Sequence, residues 1–287
     1  MASTQETVKL THPEKLLYPE CGVTKQKLAD YYARVAKWML PHVAKRPLNF
    51  RRCPQSWKRG FFQQHAQGKL PKGLRAIPVR DASGDSNRLT LDDVTGLLQL
   101  AQMNVLEIHT WGAHVDDVDK PDLLVFDLDP DPSVTWNDVV VAAQLIRQRL
   151  GDAKIESFVK TTGGKGLHIC AAIERTVTWD RARDFCHDLS VGIVNDQPEK
   201  YIATMSKAKR KGKIFLDFFR NGKGATFIAP YSTRARANAP VAMPIEWDEL
   251  GPDLAPNGYS LDSAMARLEK SGDAWATMLS KPQRIPT

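Results

Sequence analysis

The sequence predicts a mixed α+β fold in which buried strands carry acidic residues. Short apolar runs are typical of buried strands, and longer stretches between them have helical spacing. Strands and helices do not alternate regularly along the chain. Two strands expected at 155–161 and 167–173, joined by a glycine-rich turn, are typical of an antiparallel hairpin. These observations favour α+β over a doubly wound parallel fold.

Length and composition indicate an ordinary globular protein. The 287 residues suffice for one large domain or two small ones, with 42% apolar and 25% charged residues. No stretch is long and apolar enough to cross a bilayer, and residues 1–6 lack the features of a signal peptide. We therefore expect a cytoplasmic protein that does not contact membranes.

The charge of the chain indicates the kind of partner it binds, and its cysteines indicate whether it has a zinc site or disulfides. The net charge of +7 suggests a polyanionic partner, and basic residues are concentrated at 45–59 and 206–213. Acidic residues are concentrated at 116–131. Four cysteines are scattered without a Cys-x-x-Cys pair, so we expect free thiols, and neither a zinc site nor a disulfide framework.

The elements follow in order from capping and turn signals. Thr24 is the expected N-cap of a helix that runs to about Leu40 and ends at Pro41. Short strands are expected at 77–91 around Gly84. The later elements are a helix at 92–102, strands at 104–109 and 123–129, a helix at 136–150, the hairpin, a helix at 178–195, strands at 213–219 and 225–228, and a helix at 260–270.

The chain is organised around residues 123–130, an apolar run that ends in Asp-x-Asp-Pro. Side chains alternate along a strand, so Asp127 and Asp129 project to the same face. Two neighbouring carboxylates repel each other, and a divalent cation with a preference for oxygen ligands would relieve that repulsion. The alternative is an Asp-Pro-Asp-Pro turn whose acids are solvated.

A third acid, Asp217, interrupts the apolar segment 214–219. It could simply pair with a nearby base such as Lys213 or Arg220. The interpretation we favour makes it a third ligand beside Asp127 and Asp129. Three carboxylates can hold two cations roughly 3.5–4 Å apart, an arrangement suited to in-line phosphoryl displacement.

Residues 161–168 join the two hairpin strands with three glycines in four positions. Glycines let backbone N–H groups approach an anion closely, while Thr162 adds a hydroxyl and Lys165 a positive charge. The segment is not a Walker A loop, and a flexible turn is the alternative. His168 could contact a phosphate oxygen or be a structural residue. His109, at the end of the 105–108 segment, is a phosphate-contact candidate by position.

Two basic segments are candidates for nucleic-acid or polyphosphate contact. Residues 206–213 contain five bases, including Arg210, and lead into the Asp217 strand; a solvated loop is the alternative. Residues 51–65 interleave bases such as Arg52 with aromatic residues. Bases neutralise phosphates and rings stack on exposed nucleobases. The alternative buries Phe61 and Phe62 in the core, although adjacent residues of a strand cannot both face one way.

The ordered set of these motifs resembles the polymerase domain of bacterial ATP-dependent DNA ligase D, in the archaeo-eukaryotic primase superfamily. The resemblance covers about residues 8–250 of an expected single domain, with a helix and tail over 251–287. It rests on the segments 16–19, 60–63, 106–109, 125–130 and 162–168 and on Asp217.

The resemblance implies a primase-like α+β fold with a central mixed sheet that carries the acids, a second small sheet and flanking helices. It also implies a template-dependent nucleotidyltransferase of non-homologous end joining that fills gaps and extends broken ends. Such domains typically prefer ribonucleotides and use two Mn²⁺ or Mg²⁺ ions. The implied partners are gapped or broken DNA with a 5′-phosphate, nucleotides, ligase and nuclease domains, and an end-binding protein.

The resemblance assigns roles to residues of this sequence. The metal-binding, catalytic acids would be Asp127, Asp129 and Asp217. The nucleotide contacts would be His109, Thr162, Lys165, His168 and Arg234. The downstream 5′-phosphate would be bound by Lys15 and Lys25, the template would stack on Phe61 and Phe62, and Arg210 would lie near the primer end. Thr162 stands where the family often has serine, which keeps the hydroxyl and adds a methyl group.

Other functions stay open on the sequence alone. A primase that starts chains without a primer belongs to the same class. A non-catalytic DNA-end binder would have no need of three costly acids, and a metal-dependent nuclease would not need Thr162 and Lys165. No ligase or nuclease motif is present in the sequence, so the chain is expected to be an excised domain or a stand-alone relative.

Overall fold

The computed structural model describes residues 8–81 and 84–286 and confirms the mixed α+β fold. Its helices are α1 (Lys25–Val43), α2 (Val94–Gln102), α3 (Trp136–Asp152), α4 (Trp179–Asp196) and α5 (Leu261–Ser271). Its strands are β1 (Leu16–Tyr18), β2 (Val23–Thr24), β3 (Leu48–Arg52), β4 (Phe61–Gln63), β5 (Leu74–Asp81), β6 (Gly84–Leu91), β7 (Val105–Thr110), β8 (Leu123–Pro130), β9 (Phe158–Thr161), β10 (Leu167–Ala172), β11 (Tyr201–Ile202), β12 (Ile214–Asp217), β13 (Phe227–Ile228) and β14 (Pro244–Ile245).

The first sheet carries the Asp-x-Asp motif in its interior. Its strand order is β11-β12-β8-β10-β9-β14, and all neighbours are antiparallel except β11 and β12. The sheet is therefore mixed, as expected. Leu124, Phe126 and Leu128 of β8 are fully buried on one face, where α3 and α4 pack. The acids consequently project from the opposite face.

The second sheet is larger than the sequence suggests. It has six strands in the order β13-β7-β3-β6-β5, with β4 pairing with β3 at one end of that strand. The sequence analysis did not predict β3 or β4, and a strand of three residues such as β4 is too short to show a clear alternation. Helix α1 packs against α2 and α5, and its buried face includes Leu28, Tyr32 and Val35.

Several predicted element ends differ from the structure, including the start of β9 at residue 158 instead of 155, and two of them have a clear local cause. Helix α1 continues past Pro41 to Val43, because the proline removes only its own N–H and the N–H of Ala44 bonds the carbonyl of Leu40 (2.8 Å). Strand β12 stops at Asp217 instead of residue 219. The Asp217 carboxylate accepts a hydrogen bond from the N–H of Phe219 (2.9 Å), and the chain turns into a short 3-10 helix at Phe219–Asn221.

Other local predictions are confirmed. The Thr24 hydroxyl caps α1 by accepting from the N–H of Lys27 (3.1 Å). All four cysteines are free, with Cys53, Cys170 and Cys186 buried and Cys21 exposed. Among the described residues, we find no helix whose length and apolar character would let it cross a membrane.

Candidate active site

A row of four side chains crosses the first sheet on the face opposite α3 and α4. The strand register places Asp217 of β12 opposite Asp127 of β8, Asp127 opposite His168 of β10, and His168 opposite Lys160 of β9. Residues directly opposite each other in a sheet share a face. Asp129 lies on the same face, two residues beyond Asp127. The three predicted acids and His168 therefore come together, as the sequence indicates.

Arginines neutralise the three acids. Arg220 donates from Nε to Asp127 Oδ2 (3.2 Å) and its Nη2 lies 3.0 Å from Asp217 Oδ2. Arg210 places Nη1 3.3 Å from Asp129 Oδ2 and its guanidinium 3.7 Å from the centre of the Phe215 ring. The pairing of Asp217 with Arg220, one of the two alternatives for this acid, is thus observed. Lys213 instead donates to the carbonyl of Pro198 (2.6 Å).

The acids differ in electrostatic environment. Burial alone would raise the pKa of Asp127, but His168 and Arg220 lower it well below its usual value. Burial raises the pKa of Asp217 to about 6 against the opposing effect of Arg220, and the charge of Asp127 adds to the rise. Asp129 has a half-exposed side chain. Asp217 is therefore the acid of the row that gains most from another cation.

The chemistry of the donor set suits a divalent cation. Three carboxylates supply hard oxygen donors, and the space between Asp127 and Asp217 already holds a positively charged guanidinium. Within residues 8–81 and 84–286, no three acids, histidines or cysteines are already gathered around one point as metal ligands. Rearrangement of Arg220 would be required before Asp127 and Asp217 could share an ion.

The glycine-rich loop between β9 and β10 forms a second side of the cleft. The Thr162 hydroxyl donates to the carbonyl of Gly166 (3.0 Å) and accepts from the N–H of Gly164 (3.3 Å), which closes the loop. Gly163 has φ of 63°, in the region that favours glycine. A Cβ on Gly166 would lie 1.8 Å from the carbonyl oxygen of Leu128. Close packing against β8 thus requires glycine here. Lys165 donates to the carbonyl of Pro130 (3.3 Å) and lines the cleft.

The third side of the cleft comes from the second sheet and the segment after β13. His109 Nε2 lies 2.8 Å from Glu107 Oε2 on β7. The other carboxylate oxygen, Oε1, accepts from the N–H of Ala235 (3.0 Å) and lies 3.4 Å from Arg234 Nε. Arg234 also donates to the carbonyl of Thr162 (2.8 Å). One buried carboxylate therefore holds both predicted contacts, His109 and Arg234, and Arg234 connects them to the glycine-rich loop.

The cleft between these sides has a net basic lining, with four lysine or arginine side chains against two aspartates. His109, Thr162, Lys165, His168 and Arg234 all line it together with Asp127 and Asp129. The structure thus gathers all five residues for which the resemblance implies nucleotide contact. It leaves His168 Nδ1 buried without a hydrogen-bond partner in the described part of the chain. Burial lowers the pKa of His168 to about 4, so its imidazole is neutral at pH 7.

Four residues of the site were not predicted from the sequence to belong to it. Glu107 is in a resemblance motif but has no role there, and Arg220 enters only as a pairing alternative for Asp217. Arg236 lines the cleft near Gly164, and Lys160 is fully buried behind His168. Burial lowers the pKa of Lys160 to about 7. The sequence signal available for Lys160 is a lysine that directly follows two apolar residues in β9.

The predicted DNA contacts form a surface that continues from the cleft. Phe61 and Phe62 of β4 are about half exposed, at 50% and 56%. The Phe62 ring meets His109 edge to face at 5.5 Å, so the exposed aromatic pair adjoins the cleft. Arg52 lies 5.7 Å from the centre of the Phe61 ring and donates to Gln63 Oε1 (3.0 Å). The alternative that buries both phenylalanines in the core is excluded.

Lys15 and Lys25 are neighbours at the N-terminus of α1. The N–H of Lys25 donates to the carbonyl of Lys15 (2.9 Å), and Lys15 Nζ contacts the carbonyl of Pro54 between β3 and β4. Lys25 is buried, at 3% exposure, and donates from Nζ to the carbonyl of Gln102 (3.1 Å). The pair thus adjoins the segment that leads into β4, the strand of Phe61 and Phe62, and a helix N-terminus favours anions.

Comparisons with known proteins agree with this geometry. The family model described as "LigD, primase-polymerase domain" matches residues 24–275. The chain is 35% identical to the multifunctional non-homologous end joining protein LigD of Pseudomonas aeruginosa and 33% identical to that of Mycolicibacterium smegmatis, over 97% and 95% of its length. It spans about a third of those relatives, 34% and 36%.

A solved structure has the same fold. It is described as the polymerase domain of Mycobacterium tuberculosis ligase D in complex with DNA. The match has a TM-score of 0.91 and 32% sequence identity, and covers 97% of this chain and 100% of the other. The correspondence thus extends over the entire length of that domain.

Proposed function

The chain belongs to the LigD primase-polymerase family, and on this premise we propose that it is a template-dependent nucleotidyltransferase of bacterial non-homologous end joining. It fills short gaps and extends broken DNA ends. The observation that carries the proposal is the row of Asp217, Asp127 and His168 across three strands, beside a cleft lined by Lys165, Arg234 and Arg236. A nucleotide triphosphate bears the charge that such a lining complements.

The chain's own residues orient the nucleotide for in-line attack by a primer 3′-hydroxyl on the α-phosphate. Lys165 and Arg234 neutralise phosphate oxygens. The buried, neutral His168 donates a hydrogen bond from Nε2 or Nδ1, and the Thr162 hydroxyl and N–H groups of the loop add uncharged donors. His109 is fixed by Glu107 beside the same cleft. Holding both reactants in one geometry contributes much of the rate enhancement in phosphoryl transfer.

Asp127, Asp129 and Asp217 would hold two divalent ions, Mn²⁺ or Mg²⁺. When bound, such ions make the attacking hydroxyl more acidic and stabilise the charge of the leaving pyrophosphate. The two acids on β8 and the one on β12 come from neighbouring strands whose register is fixed by backbone hydrogen bonds. The sheet therefore presets the spacing of the donors.

The DNA occupies the surface next to the cleft. Phe61 and Phe62 stack on template bases, because their exposed rings lie on the strand that adjoins His109. Lys15 and Lys25 bind the downstream 5′-phosphate at the N-terminus of α1, with Arg52 near the template strand. Arg210 lies near the primer end. The implied assembly partners are the ligase and nuclease domains and an end-binding protein, and ribonucleotides are the preferred substrates.

Primer extension across a short gap tests the proposal. Substrates that differ only in a downstream 5′-phosphate or 5′-hydroxyl are incubated with Mn²⁺ and either ribonucleotides or deoxyribonucleotides. We expect templated addition that is faster with the 5′-phosphate and with ribonucleotides. Addition on an unprimed single strand would instead indicate a primase, and DNA binding without any addition would indicate an end-binding module.

A further inference from the structure

Arg220 holds a position that the proposed metal also requires. Its Nε and Nη2 contact one oxygen each of Asp127 and Asp217, and its Nη1 donates to the carbonyl of Thr226 (3.4 Å). The guanidinium therefore spans two strands and lies between two of the three proposed metal ligands. It also lines the cleft in which Lys165 and Arg234 are proposed to neutralise phosphate oxygens.

The backbone at Arg220 is fixed, so only its side chain can leave. The next residue, Asn221, is buried and exchanges two hydrogen bonds with the backbone of Val125 on β8, both 2.8 Å long. Asp217 anchors the turn from the other end through the N–H of Phe219. The base of the arginine side chain thus stays near the acids in either arrangement.

Arginine cannot yield this position by losing its proton. A guanidinium remains charged at all ordinary pH values, so a divalent ion that takes Asp127 and Asp217 meets a fixed positive charge. The same carboxylate oxygens cannot serve both cations fully. Movement of the guanidinium toward phosphate oxygens in the cleft would remove the conflict, because phosphate offers Arg a bidentate partner.

We propose that Arg220 competes with the divalent metal for the space between Asp127 and Asp217. When metal and nucleotide bind, the guanidinium of Arg220 moves from the two acids to the nucleotide phosphates. The inference rests on the proposed nucleotidyltransferase function. Metal and nucleotide would then assist each other's binding, because each makes the displacement of Arg220 less costly for the other. Such coupling is reciprocal by thermodynamic linkage. The acids would thus be loaded with metal chiefly when a nucleotide is present.

The test is a titration of the intact chain with Mn²⁺ alone. Binding is measured from the electron paramagnetic resonance signal of the Mn²⁺ that stays free. Arg220→Gln removes the competing charge and keeps a side chain of similar length, and Arg220→Lys keeps the charge but cannot contact both acids in the same way. The matched control is Arg236→Gln. Arg236 lines the same cleft and forms no ion pair within the described ranges, so its loss removes an equal charge without freeing an acid.

We expect Arg220→Gln to bind Mn²⁺ roughly tenfold more tightly than the wild type, with Arg220→Lys between the two, because two charge-assisted contacts no longer compete. Arg236→Gln should change the affinity by less than about threefold, as a charge without an acid partner has only a screened effect. The rise in unfolding temperature on adding Mn²⁺ should also be larger for Arg220→Gln.

Equal or weaker Mn²⁺ binding by Arg220→Gln, relative to Arg236→Gln, would overturn the inference. If Arg220→Gln does not fold, the same comparison applies to Arg220→Lys. Saturable binding to the wild type without a gain in the Arg220 variants would refute the competition alone. Absence of Mn²⁺ binding in every protein would refute the proposed metal site as well.

Discussion

The replacement Glu107→Gln tests whether one buried carboxylate positions the nucleotide contacts. Glu107 is 2% exposed. Its carboxylate lies 2.8 Å from His109 Nε2 and 3.4 Å from Arg234 Nε, and it accepts a hydrogen bond from the N–H of Ala235 (3.0 Å). Glutamine preserves the shape but removes the charge. Burial alone would raise the pKa of Glu107, yet His109 and Arg234 lower it to about 2, so the carboxylate is ionised at neutral pH.

The size of the effect follows from the contacts that weaken. A hydrogen bond to a charged group contributes about 1.5–3 kcal/mol. If the orientation of Arg234 and His109 depends on that contribution, the loss corresponds to a 10- to 150-fold rise in the KM for nucleotide, at about 1.4 kcal/mol per tenfold. The kcat at saturating nucleotide and the affinity for DNA should change far less, since Glu107 touches neither the acids nor Phe61.

Steady-state primer extension at varied nucleotide concentration measures both constants. Glu249→Gln is a matched control, because Glu249 also pairs with an arginine, Arg267, but lies outside the cleft. An unchanged KM in Glu107→Gln, or an equal change in the control, would refute the positioning role. A lower unfolding temperature without any kinetic change would show that Glu107 is only structural.

Three further predictions concern packing, DNA contact and pH. Gly166→Ala places a Cβ 1.8 Å from the Leu128 carbonyl and should lower both unfolding temperature and nucleotide affinity, whereas Gly151→Ala, with open space around it, should leave both intact. Phe61→Ala should weaken binding to DNA with a single-stranded template by about 1–3 kcal/mol in fluorescence anisotropy, and an unchanged affinity would contradict stacking. The buried Arg46 forms an ion pair with Asp122 (2.6 Å), and His114 Nε2 lies 3.2 Å from the same carboxylate. Burial opposes ionisation of Asp122, but Arg46 and His114 lower its pKa to about 2. An acid with a lowered pKa stabilises the fold at pH values above its ordinary pKa of 3.8, and this contribution disappears as the pH falls toward 2. Asp122→Asn should therefore reduce the decrease in unfolding free energy between about pH 4 and about pH 2. An unchanged dependence of the unfolding free energy on pH would count against the ion pair.

Local patterns predict much of the acid row. The apolar run into Asp127 and the break of pattern at Asp217 identify two strands, and alternation places Asp129 on the face of Asp127. The pairing of β12 and β10 on either side of β8 depends on contacts between residues far apart in sequence. That these strands lie together was predicted only through the family resemblance. The structure shows the register that aligns Asp217, Asp127 and His168.

The residues that sequence analysis missed act through tertiary contacts. Glu107 and Arg234 are 127 positions apart, and Arg220 contacts Asp127 from 93 positions away. No local periodicity reports such pairs. The second sheet was underestimated for a similar reason, because a strand as short as β4, with three residues, becomes visible only through its pairing with β3.

The most direct test of the account replaces Asp127 by alanine and measures extension and DNA binding on the same gapped substrate. Within the part of the chain that the structure describes, the Asp127 carboxylate pairs with His168 and Arg220, and neither of these is a predicted DNA contact. We predict that extension with Mn²⁺ is abolished while the affinity for DNA stays within about threefold, because phosphate contacts and base stacking lie elsewhere. Extension near the wild-type rate in Asp127→Ala would contradict the assignment of the acid row as the catalytic centre.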